Sequence, residues 1–202
     1  DKEDVIYRSG AKDTDLICVS GNLGAAYCGL QLLEREKSVY YMQLQEARKK
    51  NKDAVVDFQP DFSGREYLLE RQLQPEARGD ILKTLRQAGV RPTSMIDISD
   101  GLSSEIMHIC KESDTGCRLF EKEIPIDYQT AVMAEEMNMN LSTCALNGGE
   151  DYELLFTCPI GDYEKVKELD DIRIIGHITK KELGTLLVTR DGQEFPLKAQ
   201  GW

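Results

Sequence analysis

The stretch Ser94-Met-Ile-Asp-Ile-Ser-Asp-Gly-Leu102 constrains this chain more than any other. Ser94 to Ile98 reads as a strand, and a helical apolar stripe restarts immediately afterwards at Leu102, Ile106 and Ile109. Asp97 stands between Ile96 and Ile98, where an isolated carboxylate costs several kcal/mol unless it is paired or bound to a metal. In an extended segment Asp97 and Ser99 share a face. The turn at Gly101 then brings Asp100 round to the mouth of the helix. Two carboxylates and a hydroxyl at a helix N-terminus suit a phosphate bridged by a hard divalent cation. Plain capping of the helix by Ser99 or Asp100 explains one polar residue and leaves Asp97 unaccounted for.

The remaining pattern mixes strands and helices without strict alternation, which predicts an α+β fold with a mixed sheet in a layered arrangement. Strands are expected at Asp15–Ser20, Tyr152–Cys158 and Ile172–Thr179, with a short extended piece at Glu123–Ile126. A hairpin is expected from Thr185 to Leu197, turning at Asp191-Gly192. Helices are expected at Ala25–Leu33, Tyr67–Leu73, Arg78–Ala88, Leu102–Cys110, Asp127–Met137 and Gly161–Leu169. Residues 34–57 are dense in charge and Gln and read as an exposed helix or a mobile insertion.

Two further stretches carry candidate chemistry. Gly21-Asn-Leu-Gly24, between a strand and a helix, is a possible phosphate cradle, although close helix–sheet packing accounts for the same glycines. Asn147-Gly-Gly-Glu-Asp-Tyr-Glu153 is either a hairpin turn or a ligand loop. On the second reading Gly148 and Gly149 admit a ligand to the backbone, and Glu150 and Asp151 face a cation or hydrogen-bond donor. Glu153, alternating with Leu154, is expected to face solvent.

A formal net charge of -11 argues against nucleic acid or an anionic membrane as partner, yet carboxylates can hold a polyanion through divalent cations. Forty-one per cent apolar residues suffice for a core. The six cysteines form no C-x-x-C pair and have no His at ligand spacing, so reduced thiols in a cytoplasmic protein are expected in place of a zinc site. No apolar run approaches the roughly 20 residues of a membrane span. The chain opens Asp1-Lys-Glu-Asp without an initiator Met, which suggests a fragment.

Met95 to Leu102, together with Leu146-Asn-Gly-Gly-Glu-Asp-Tyr-Glu-Leu-Leu-Phe156, resembles the thiamine-monophosphate kinases of the aminoimidazole-ribotide-synthetase-like superfamily. Tyr7-Arg-Ser-Gly-Ala-Lys12 and Asp15 to Gly24 resemble the passage into that family's second domain. The resemblance implies a single C-terminal domain over residues 1–202, a layered α/β/α fold, with 35–57 inserted and an N-terminal metal and dimerisation domain absent from the chain. It implies ATP-dependent conversion of thiamine monophosphate to thiamine diphosphate by direct in-line transfer with Mg²⁺, in a protein that is a homodimer at full length. Carried over by position, Asp97 and Asp100 would bind Mg²⁺, and Arg8 and Ser99 would bind ATP. Glu150 would meet the thiamine moiety, and Trp202 would stack on it. Catalysis would rest on positioning and charge neutralisation, with no nucleophilic side chain. Another acceptor within the same superfamily, or a non-catalytic ligand-binding module, are the alternatives.

Overall fold

The computed structural model describes residues 5–199. Its strands form one mixed sheet in the order β2-β4-β1-β5-β3-β6-β7. These are β1 (Leu16–Ser20), β2 (Ser94–Asp97), β3 (Thr115–Phe120), β4 (Leu154–Cys158), β5 (Ile172–Lys180), β6 (Thr185–Val188) and β7 (Glu194–Pro196). All pairs are antiparallel except β3 with β6. The helices are α1 (Ala25–Lys50), α2 (Glu66–Leu73), α3 (Gly79–Gln87), α4 (Leu102–Ser113), α5 (Tyr128–Glu136), α6 (Leu141–Asn147) and α7 (Tyr163–Lys167).

Strand β1 is buried along its whole length, so the period-two alternation feeds two cores. Ile17 and Val19 join Ile96, Leu155, Ile175 and Leu119 beneath α4 and α6. Leu16 and Cys18 join Phe156, Cys158 and Ile172 against Ile81 and Leu85 of α3 and Val166 of α7. The sheet is therefore covered on both faces, the α/β/α layering that the family resemblance implies. A third cluster, Ala25, Cys28, Leu32, Leu68, Met133 and Cys144, packs α1, α2, α5 and α6 on one another.

The differences from the sequence reading have local causes. Helix α1 runs on to Lys50, well past Leu33, because residues 34–50 are strong helix formers. Glu34 pairs with Lys37 at 3.0 Å, and Arg48, Lys49 and Lys50 complement the C-terminal dipole. Tyr40 then folds onto Phe58 (ring centroids 5.7 Å apart), which returns the irregular chain after Lys50 towards the helix. Strand β3 and helix α6 had no sequence expectation. The hairpin at Asp191-Gly192 forms as expected, with Gly192 at φ 84°. All six cysteines are buried free thiols.

Ile106 of α4 has no exposed surface at the centre of the largest cluster. Ile106→Ala should destabilise the fold by about 2–5 kcal/mol, through lost burial and the cavity left behind. A urea unfolding midpoint at the parent value would contradict this packing.

Candidate active site

The turn after β2 and the loop before β4 are continuous with the β2–β4 ladder. Asp97 pairs with Leu154 as the last ladder residue. Beyond it the Ile98 N–H donates to the Glu153 carbonyl (2.8 Å), and the Tyr152 N–H donates to the Ile98 carbonyl (2.9 Å). The Glu150 N–H in turn donates to the Ser99 carbonyl (2.8 Å). Two stretches fifty residues apart in the chain thus lie side by side at one end of the sheet.

This zipper brings Asp97, Ser99, Asp100 and Glu150 together. Asp97 and Asp100 are exposed, and no hydrogen bond or ion pair holds either carboxylate among the described residues. Burial therefore supplies no reason for Asp97 to be functional, contrary to the argument from its isoleucine neighbours. Alternation turns Ile96 and Ile98 into the core and leaves Asp97 on the open face. Among the described residues no group of three or more His, Cys, Asp or Glu side chains is disposed to hold a metal by itself. Arg8 is exposed on a lead-in strip beside β2, where the Met95 N–H donates to the Tyr7 carbonyl (2.9 Å). Trp202 lies outside the described residues.

Beneath the turn sits Glu105, to which the sequence analysis gives no role. It is 2% exposed, and its Oε1 accepts from the Asp100 N–H at 3.2 Å. Burial pushes its pKa up, while the Asp100 N–H pulls it down. The signal in the sequence was the reach-back spacing of an acid in the first turn of α4 to the residues before it.

The acidic loop alternates. Glu150 and Tyr152 face outward, half-buried, whereas Asp151 and Glu153 are 2% and 1% exposed. Asp151 accepts from the Gly24 N–H (2.7 Å) and the Ala26 N–H (3.3 Å), and so caps α1 from across the fold. The α1 N-terminus is consequently spoken for by a carboxylate, and close packing, rather than a phosphate cradle, accounts for the Gly21–Gly24 loop. Gly148 also serves packing: a Cβ there would meet the Cys144 carbonyl oxygen at 2.2 Å and Tyr27 Cβ at 2.7 Å.

Glu153 does not face solvent. Its Oε1 meets Arg71 Nη1 at 2.8 Å, and its Oε2 accepts from Arg78 and from Ser20 Oγ (2.5 Å). Arg71 donates in addition to the carbonyls of Asn22 (3.2 Å) and Asp151 (3.1 Å). Alternation with Leu154 failed as a guide here because both faces of β4 are covered.

The two-sided layering and the strand-to-helix carboxylate turn define the class. The fold is that of aminoimidazole-ribotide-synthetase-like proteins. Escherichia coli HypE, a hydrogenase maturation protein, matches 98% of this chain and 54% of its own with a TM-score of 0.66, at 15% identity a likeness of fold alone. At the level of sequence the chain is a homologue of thiamine-monophosphate kinases. The enzyme of Aquifex aeolicus is 30% identical over 200 residues, 99% of this chain and 55% of that protein. The structure of AaThiL complexed with AMPPCP and TMP matches at a TM-score of 0.71 and 29% identity, covering 98% of this chain and 53% of that one. The chain spans about half the length of the curated relatives it matches. No family model matches it.

Burial pushes Asp151 up to about 7, against the pull of the Gly24 N–H and the Arg71 guanidinium. An acid whose folded pKa is raised keeps its proton in the folded state after the unfolded chain has lost it. Its contribution to stability therefore falls as pH rises from about 4 to about 7. Asp151→Asn, which keeps an acceptor for the Gly24 N–H without the charge, should gain in thermal stability relative to the parent across that window. A difference in Tm that stays constant from pH 4 to pH 8 would remove the assignment.

Proposed function

We propose that this chain supplies part of the site of a kinase that transfers a phosphoryl group from ATP to thiamine monophosphate, giving thiamine diphosphate. The observation that carries the reading is the hydrogen-bonded zipper between Ile98-Ser99 and Glu150–Glu153, which sets the carboxylate turn and the acidic loop side by side on the open end of the sheet. Homology to thiamine-monophosphate kinases and the AMPPCP and TMP complex of AaThiL support the two substrates.

Mg²⁺ suits the donors present. Asp97 and Asp100 are exposed oxygen ligands with no protein cation to satisfy them among the described residues, which is the chemistry a hard divalent ion selects. When bound, the ion would neutralise charge on the phosphates. Ser99 Oγ and Arg8 are the donors assigned to ATP oxygens, Glu150 the acceptor for the thiamine moiety, and Trp202 its stacking partner. Transfer is direct and in line, with orientation and electrostatic complementarity as the protein's contribution. Two carboxylates cannot fill the coordination sphere of Mg²⁺, so the remaining ligands come from substrate, water and a further domain of the kind the resemblance implies. The same reading carries a homodimer at full length and a cytoplasmic location.

The test uses the longest natural chain that carries this sequence. Asp100→Asn should lower kcat/KM for thiamine monophosphate by roughly a hundredfold or more and weaken the Mg²⁺ dependence, the scale expected when a charge-stabilising group is removed. Residues 1–202 alone should turn over little or no substrate. Parental kinetics in Asp100→Asn would sink the metal assignment.

A further inference from the structure

Tyr152 is used by nothing proposed so far, yet its placement is costly. Glu150 and Tyr152 have φ values of 68° and 51°, in the left-handed region that side chains with a Cβ avoid. Each such residue is strained, and glycine at either position would relieve the strain. Strain of this kind persists only where the surroundings over-determine it. Here they do, because Asp151 and Glu153 between and after them are buried and fully engaged.

In this conformation Glu150 and Tyr152 lie on the same side, and the Tyr152 hydroxyl donates to Glu150 Oε2 at 3.0 Å. The Glu150 carboxylate raises the Tyr152 pKa, with Asp97 and Asp100 adding to it, so the phenol stays a donor. The hydrogen bond from the Tyr152 N–H to the Ile98 carbonyl (2.9 Å) puts Tyr152 beside the carboxylate turn. One oxygen of Glu150 is thereby fixed, and its Oε1 has no partner among the described residues.

We propose that Tyr152 is a specificity-setting positioning residue, which locks Glu150 so that its other oxygen accepts from the exocyclic amine of the substrate's aminopyrimidine ring. The inference rests on the functional reading above and adds to it the residue that orients the acceptor. A freely rotating glutamate would lose side-chain entropy on each binding event, whereas the phenol prepays that ordering. A carboxylate held in one orientation also discriminates by geometry. An amine donates to it, while a carbonyl in the same place presents lone pair to lone pair and is rejected.

The experiment compares thiamine monophosphate with oxythiamine monophosphate, in which a carbonyl replaces that amine, on the longest natural chain carrying this sequence. Tyr152→Phe removes only the hydroxyl. It should raise KM for thiamine monophosphate by about tenfold, the scale of one lost hydrogen bond to a charged group. The saturating rate and the KM for ATP should stay within twofold, and discrimination against the oxy analogue should shrink. The melting temperature is read alongside. A purely structural role would lower it and change both KM values together, and that result overturns the proposal. So does an unchanged KM and unchanged discrimination in Tyr152→Phe. Glu150→Gln separates the two levels: if it raises KM for thiamine monophosphate while Tyr152→Phe does not, the orienting role fails and the kinase reading stands. If Glu150→Gln also leaves KM unchanged, the assignment of Glu150 to the substrate falls, and the proposal with it.

Discussion

The carboxylates of Asp151 and Glu153 are buried, and distant stretches of the chain converge on them. Removing such groups from water costs several kcal/mol each unless every lone pair is answered. Here the answers come from the N-terminus of α1, from Ser20 at the end of β1, from Arg71 of α2 and from Arg78 just before α3. The arrangement cannot form piecemeal: a guanidinium without its glutamate, or the reverse, is worse than neither. Its yield is conformational specificity. Once both acids are seated, the loop from Gly148 to Glu153 has one path, and that path lies against the turn at Ile98-Ser99.

A division of labour follows within four consecutive residues. Asp151 and Glu153 point inward and hold the fold, while Glu150 and Tyr152 point outward and meet whatever occupies the open end of the sheet. The same division appears across the zipper, where Ile96 and Ile98 are core and Asp97 is surface. At Glu105 the inward group does both jobs, since its buried carboxyl holds the backbone of Asp100 from below.

Much of this was legible in the sequence wherever local chemistry and tertiary context agree. The strand at 94–97, the helix restarting at Leu102 and the Asp191-Gly192 hairpin are cases in which periodicity and turn residues point the same way as the final packing. Strand β3 escaped notice because it follows α4 after Asp114 alone. That residue adopts the left-handed conformation (φ 55°) usually left to glycine, while the nearby Gly116 sits inside the strand, where it weakens the strand signal. Helix α6 is seven residues long and capped by Asn140, too short for a stripe to repeat. Within the site, residue identities were readable and burial was not. Asp97 was credited with a buried charge it does not have, and Glu153 was assigned to solvent although it is sealed between two arginines. Both errors arise because alternation gives the side of a strand without saying what covers that side.

The position of β1 in the sheet has a consequence for how the chain reaches this state. Leu16 lies near the start of the sequence, yet its ladder partners are Cys158 on one side and His177 on the other. A five-residue strand with every side chain buried must therefore wait for nearly the whole chain before either edge can pair. Closing loops of that length is slow, and until it happens an apolar run with both edges unpaired is open to other chains. On the ribosome β1 is made before both of its ladder partners and is among the last of these seven strands to be placed. Any delay in completing β4 or β5 accordingly prolongs the time for which residues 16–20 stay uncovered.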